Sequence, residues 1–275
     1  MLSKMLIKDM TAEAYFAHPA VNRSQLADLL QSPLHYWAKH VDPNRVKKDD
    51  SDNAAFRLGR AIHARVLEAD RYSQDFGVGP AVSSRNAKAW KEAAAAFTGE
   101  MLLTVDEHQT VEGAAKSLME YPISRRVLFE SVGDNEVSAF GKDPGTGIEL
   151  KCRIDRLMAN GMLVDVKSTA DASPSAFAKS CHNFGYALQA AHYLHTTEIA
   201  TGCVPAGFGF VVVEKAPPYA VAVYRASEAF LEFGKAQYTK LLAELAEWLD
   251  KDPTQPWASY ADEILLLDLP AWAYR

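Results

Sequence analysis

The stretch "RIDRLMANGMLVDVKS", residues 153–168, decides how the chain is read. Asn160-Gly161 tolerates the positive φ angles of a tight turn, and apolar residues alternate on both sides of it, so a β-hairpin is expected. Successive side chains of a strand point to opposite faces. Ile148, Leu150, Cys152 and Ile154 then share one face of the first strand, with Glu149, Lys151, Arg153 and Asp155 on the other. On the second strand Met162, Val164 and Val166 lie opposite Leu163, Asp165 and Lys167. Asp165 and Lys167 are neighbours by this geometry, and Asp155 joins them if it lies on their side near the open end. Taken alone, the pattern is first of all that of an antiparallel sheet with one wet face, where an Asp and Lys pair contributes little. Other parts of the chain have to decide.

Composition sets the bounds. The 275 residues are 48% hydrophobic and 10% aromatic, ample for a packed core. No apolar run approaches a membrane span, and "MLSKMLIKDM" carries charges where a signal peptide needs an unbroken apolar core, so a cytoplasmic protein without a membrane partner is expected. Cys152, Cys181 and Cys203 are odd in number, widely spaced and lack a C-x-x-C, which argues against a disulfide framework, a zinc knuckle or a four-cysteine iron–sulfur cluster. A net charge of -6 and a pI near 5.8 argue against a protein that coats nucleic acid over a broad basic surface. Local basic groups remain: Arg45, Lys47 and Lys48; Arg57, Arg60 and Arg65; Arg85, Lys88 and Lys91; Arg125 and Arg126. Each, taken singly, reads as a solvated face.

Along the chain, Asn22 or Ser24 can cap "QLADLLQ", and Pro33 can start "LHYWAKHV". Residues 53–70, "NAAFRLGRAIHARVLEAD", carry a helical apolar stripe of Phe56, Ile62, Val66 and Leu67, with His63 in its midst. A loop over residues 75–85 and two helices, "NAKAWKEAAAAF" and "DEHQTVEGAAKSLME", follow. Strands are expected over 136–141, 148–158 and 162–168, the first two joined by "DPGTG". "YALQAAHYLHTTEIA" reads as a helix, "AGFGFVVVEK" as a buried strand with "YAVAVYRA" as its hairpin partner, and residues 227–250 as a long amphipathic helix. One domain over 1–275 is expected, with a helical N-terminal extension (1–53) and a core (54–275) that holds a helical insertion at about 70–130.

The order of the polar groups changes the reading of the hairpin. A helix with His63 precedes three strands with Asp155, Asp165 and Lys167. A helix follows on which Gln189 and Tyr193, four apart, share a face. The chain resembles the PD-(D/E)xK nuclease superfamily, and within it the RecB-type exonucleases, most closely the exonuclease VIII (RecE) nuclease domains. The resemblance is carried by Gly59 and His63 of "GRAIH", Asp155 of "RID", Asp165 and Lys167 of "DVK", Gln189 and Tyr193 of "QAAHY", and the opening "HPAVNRSQLADLLQSPLHYWAKHVDP". It implies an α/β fold of the restriction-endonuclease type: an αβββαβ core whose mixed central sheet is flanked by helices.

The chemistry suits the residue types. Phosphodiester hydrolysis needs an activated water and charge relief at the phosphoryl oxygens, which divalent cations provide. Asp155 and Asp165 are hard ligands for Mg²⁺ or Mn²⁺, and the resemblance adds the Val166 carbonyl. His63 would add an imidazole that suits Mn²⁺ better. Lys167 would sit beside the attacking water. Gln189 and Tyr193 would position the DNA backbone, and Arg85 and Lys88 could grip phosphate. Glu68, one turn beyond His63, could stand behind the ligands as an outer carboxylate; Glu130 or Glu136 could approach the metals, with nothing in the spacing to choose between them, and Ser168 and Thr169 could donate hydrogen bonds behind them. No G-x-x-x-x-G-K-[ST] is present, which argues against ATP-driven unwinding. The resemblance further implies an ATP-independent 5′ to 3′ exonuclease acting on double-stranded DNA ends, a ring-shaped homo-oligomer, and a single-strand annealing protein as partner in phage recombination. Its rivals are a structure-specific endonuclease or a 3′ to 5′ exonuclease on the same fold, and a DNA-binding module without catalysis.

Overall fold

The structure, a computed structural model, describes residues 5–45, 54–261 and 263–274; Lys47 and Lys48 lie outside the described residues. In chain order the elements are β1 (Met5–Ile7), α1 (Ala12–Ala17), α2 (Arg23–Gln31), α3 (Pro33–Tyr36), α4 (Ala54–Leu67), α5 (Ala69–Asp75), β2 (Phe76–Val78), α6 (Lys88–Ala96), β3 (Met101–Leu103), α7 (Val105–Glu120), α8 (Pro122–Arg125), β4 (Gly133–Lys142), β5 (Glu149–Met158), β6 (Met162–Thr169), α9 (Pro174–Asn183), α10 (Tyr186–Thr201), β7 (Gly207–Glu214), β8 (Val221–Arg225) and α11 (Glu228–Leu249).

Local signals set most of these boundaries. Asn22 caps α2 by accepting from the Gln25 amide while Gln25 returns a bond to the Asn22 amide, a reciprocal pair that satisfies two orphan donors. Pro33 opens α3 behind the Ser32 cap. The Asn160-Gly161 turn forms as expected, Gly161 taking a φ of +82°.

The main sheet has the order β1-β4-β5-β6-β7-β8, all neighbours antiparallel except the parallel pair β6 and β7. Parallel neighbours need a crossover, and α9 with α10 supplies it. Both faces of the sheet are covered. Val164, Val166, Val211 and Val213 pack on one face with Ile62 of α4 and Leu118 of α7. Cys152, Ile154, Leu163, Phe208 and Val212 pack on the other with Phe177 of α9 and Ala190 of α10. The αβββαβ core is thus α4, β4, β5, β6, α10 and β7, and a wet face for the hairpin is excluded.

Three expectations need correction. The 1–53 extension is not all helical, because Met5–Ile7 pairs antiparallel with β4 at the edge of the main sheet. The 75–85 segment is not all loop, because Phe76–Val78 pairs in parallel with Met101–Leu103 in a second, small sheet. Three-residue strands are too short to show a period of two. Phe56 is not part of the buried stripe of α4: Ile62, Val66 and Leu67 are buried, whereas Phe56 is 61% exposed. At 100° per residue, Phe56 and His63, seven apart, share a face with Leu67, which enters the core at the C-terminal end of α4 while Phe56 at the other end stands clear of it.

Candidate active site

The hairpin is zipped only near its turn. The β5–β6 pairs are Arg156 with Val164 and Leu157 with Leu163. Beyond them the strands part, and the Val166 amide donates not to a β5 carbonyl but to the Asp155 carboxylate, at 2.7 Å. A backbone amide left unpaired in the core would be costly, so Asp155 both fills the split and closes that account. Its other neighbour is His63 of α4, whose Nδ1 is 3.6 Å from Asp155 Oδ2 and whose Nε2 contacts the Val166 carbonyl at 2.6 Å.

Asp165, the residue after the last pair, is held from the opposite face. Gln189 of α10 donates its Nε2–H to Asp165 Oδ1, and Lys167 Nζ lies 2.6 Å from Oδ2. Asp155 takes its histidine from α4 and Asp165 its glutamine from α10, so the two acids reach the split from the two sides of the sheet rather than from one side. Lys167 also rests on the Tyr186 ring, 4.7 Å from the centroid.

The electrostatics follow from burial. Asp155 is 8% exposed and Asp165 2%. Burial, and then the Asp165 charge, push the Asp155 carboxyl up to about 7, with Glu136 adding to them and His63 opposing. Burial draws the Lys167 ammonium down, but Asp165 and Asp155 outweigh it, so its pKa ends above the ordinary lysine value. The Tyr193 phenol, held well above its usual range by burial, stays neutral.

Glu136 is the acid that the spacing did not choose. The β4–β5 register pairs Asn135 with Arg156 and Val137 with Ile154, so Glu136 stands opposite Asp155. It does so at a φ of +52°, a left-handed conformation that costs a residue with a Cβ and that collects at functional sites. One ligand atom each from His63, Glu136 and Asp155 lie within 4.8 Å of one another. Arg153 donates to Glu136 Oε2 and, at 2.9 Å, to the Met10 carbonyl.

A cleft of about 560 Å³ opens over this cluster, with Asp155, His63, Glu136, Lys167, Gln189, Tyr193, Ser168 and Glu68 in its walls. Glu68 is engaged by Arg71 at 2.7 Å. Thr169 donates locally to the Asp171 carbonyl, and Glu130 pairs with Arg125 at 2.9 Å, both apart from the cleft. Arg85 and Lys88 are not brought to the cleft: Arg85 is spent on Glu107 and lies over the Trp90 ring, while Lys88 is exposed and 3.7 Å from Glu92. Arg23, at the start of α2, does line it. Arg60 is paired with Glu100, Arg71 with Glu68, Arg153 with Glu136 and Lys167 with Asp165, but Arg23 forms no ion pair among the described residues and its Nε is buried without a partner. Its only sequence signal is its place beside the α2 cap.

The donor set fits a divalent cation. Asp165 offers a buried carboxylate whose Oδ1 accepts from Gln189 and whose Oδ2 faces the Lys167 ammonium at 2.6 Å. Asp155, Glu136 and the Val166 carbonyl are further hard oxygens, and His63 is a borderline nitrogen.

Residues 22–263 match the family described as "PDDEXK-like domain of unknown function (DUF3799)". The chain belongs to the DUF3799 family. The family is of the PD-(D/E)xK type, the superfamily that the order of motifs in the sequence resembles. A crystal structure named "Putative exonuclease", from Eubacterium rectale, superposes with a TM-score of 0.61 at 13% identity, covering 97% of this chain and 98% of that one; the likeness is one of fold. An alkaline exonuclease from Laribacter hongkongensis, also 13% identical, covers 87% of this chain and 96% of its own at a TM-score of 0.41, too low to carry an argument. No curated protein matches. Among the described residues no helix is long and apolar enough to cross a membrane.

Proposed function

We propose that the chain is a metal-dependent, ATP-independent exodeoxyribonuclease that degrades linear double-stranded DNA from 5′ to 3′ and leaves single strands for recombination. The observation that carries the chemistry is the convergence of Asp155, Lys167 and His63 in one cleft at the β5–β6 split, with the buried Asp165 behind Lys167. Asp155, Asp165, Glu136, His63 and the Val166 carbonyl would hold Mg²⁺ or Mn²⁺. Bound there, the ion supplies a water of lowered pKa and charge relief on the phosphoryl oxygens.

The side chains do the rest. Lys167, kept cationic by two acids and oriented by Tyr186, neutralises charge that develops on the phosphoryl group. Gln189 spends its amide on Asp165 and so sets the rotamer of a ligand rather than gripping DNA. Tyr193 presents a neutral phenol, a donor suited to a phosphate oxygen. Arg23, the cleft cation without an acid, is the natural backbone contact.

Polarity, duplex preference and the recombination role rest on the resemblance of the motifs to exonuclease VIII domains, as do a ring-shaped homo-oligomer and an annealing partner. A ring reconciles the net charge of -6 with DNA binding, because basic groups need line only its channel. The test is release of acid-soluble nucleotides from linear and closed-circular duplexes in Mg²⁺, Mn²⁺ or EDTA, with 5′- and 3′-labelled ends. Metal-dependent loss of linear DNA alone, 5′ label first, is expected. Cutting of the circle refutes the exonuclease, and early loss of 3′ label refutes the polarity. Light scattering of the purified protein tests the ring, which a monomer would remove.

A further inference from the structure

The mouth of the cleft carries two phenylalanines that the fold leaves largely exposed. Phe16 of α1 is 70% exposed and Phe56 of α4 is 61% exposed, and both line the same cleft as His63, Asp155 and Lys167. One exposed phenylalanine on a protein surface is ordinary. Two of them at the mouth of one polar cleft, on different helices, are a surface.

Both rings are held in place by the backbone beneath them. The buried Lys151 donates to the Tyr15 carbonyl at 2.8 Å and to the His18 carbonyl, and sits 4.8 Å from the centroid of the Tyr15 ring. That anchors α1 on β5 with Tyr15 inward and Phe16 outward. Phe56 lies two turns from His63 on the same face of α4, roughly 10 Å along the helix. The ring is therefore out of reach of the reacting atoms but within the path of a strand that reaches them.

On the reading above, a phosphate must descend to acids that are nearly inaccessible from the surface. A nucleotide whose base is still paired and stacked cannot follow it into a cleft of about 560 Å³, so the strand has to be unpaired at the mouth. We infer that Phe16 and Phe56 form a stacking platform for the unpaired bases of the strand being hydrolysed. Aromatic rings stack on any base, so the platform reads no sequence, and it repays part of the unpairing at the step where the duplex end opens. Arg23, on the same cleft, supplies the charge for the backbone that the rings lack.

The inference rests on the nuclease reading, and the experiment separates the two. Hydrolysis of bis(p-nitrophenyl) phosphate by the wild type in Mn²⁺ tests the reading alone, since that ester has no base to stack. With that activity present, binding is measured in the Lys167→Ala background, which keeps the DNA intact, using single-stranded oligonucleotides that carry 2-aminopurine near the 5′ end. The wild-type mouth should quench 2-aminopurine by stacking. Phe16→Ala and Phe56→Ala should each weaken binding roughly five- to 150-fold, the equivalent of the ~1–3 kcal/mol that base–aromatic stacking is worth, and relieve the quench. Phe→Trp at either position should retain both. Exposed positions leave the fold intact, which thermal melting checks. Affinities within twofold of the parent, or a Phe→Leu variant with undiminished quench, would overturn the platform while leaving the nuclease standing.

Discussion

Asp155→Asn is expected to make the metal-free protein more stable at pH 8 while destroying its metal site. Asp155 has an ordinary pKa of 3.8 and a folded value of about 7, raised first by burial and then by Asp165. A carboxyl raised in the folded state binds its proton more tightly there than in the unfolded chain. Stability is therefore greatest below the unfolded pKa, falls as pH rises from about 4 to about 7, and stays low above that. At about 1.4 kcal/mol per pKa unit, the penalty is roughly 1.6 kcal/mol at pH 5 and roughly 4 kcal/mol at pH 8. Asparagine carries no charge, and its carbonyl oxygen can still accept from the Val166 amide that Asp155 now satisfies at 2.7 Å.

Urea unfolding in EDTA at pH 5 and pH 8 gives the comparison. Relative to the wild type, Asp155→Asn should gain about 2.5 kcal/mol between the two pH values, with an unchanged dependence on urea. Added Mn²⁺ should stabilise the wild type more at pH 8 than at pH 5, because binding takes the ionised carboxylate, and should not stabilise the variant through this site. A variant less stable than the wild type by the same amount at both pH values would show that Asp155 is a structural hydrogen-bond acceptor with no charge penalty, and would refute the argument.

Three further perturbations probe other groups. Lys167→Ala should lower kcat on linear DNA by about 10²–10³-fold while leaving Mn²⁺ binding by calorimetry in place; equal losses in both would make Lys167 a scaffold for Asp165. Arg153→Gln breaks a pair whose side chains are 13% and 14% exposed and should cost about 3–5 kcal/mol in EDTA, with a larger share of the melting temperature restored by Mn²⁺ than in the wild type, since the cation takes over the Glu136 charge; no extra restoration would remove Glu136 from the ligand set. Lys151→Met leaves two carbonyls of the α1 segment unpaired at about 1–3 kcal/mol and should raise hydrogen exchange across residues 11–18 ahead of the rest of the chain; uniform exchange would argue that α1 is held by other contacts.

What could be read in advance, and what could not, divides along the range of the interactions. The hairpin was legible because Asn160-Gly161 is a local turn signal, and α4 and α10 were legible because their apolar positions recur over several turns. Asp155, Asp165, Lys167 and His63 could be placed on those elements, and the ordered motifs brought them to one site. The side from which each acid is held could not be read: strict alternation treats β5 and β6 as a flat ladder, whereas they part after Val164, and the parting is caulked by a carboxylate. Glu136 was within reach, since a turn at 143–148 forces it opposite Asp155, but its left-handed φ has no sequence signature in a glutamate.

Phe56 is the instructive failure. An apolar residue in an amphipathic helix is assigned to the core by habit, yet its spacing from His63 is seven, and the buried Ile62 and Val66 lie on a different face. Once His63 is accepted as a cleft residue, Phe56, in phase with it two turns towards the N-terminus, goes to the cleft, whereas Leu67, in phase at the other end of the helix, goes to the core. The ring then needs a partner other than the core. Helical periodicity in a binding protein therefore has to be solved for two faces at once, and an aromatic residue in phase with the reactive group belongs to the ligand's side of that solution.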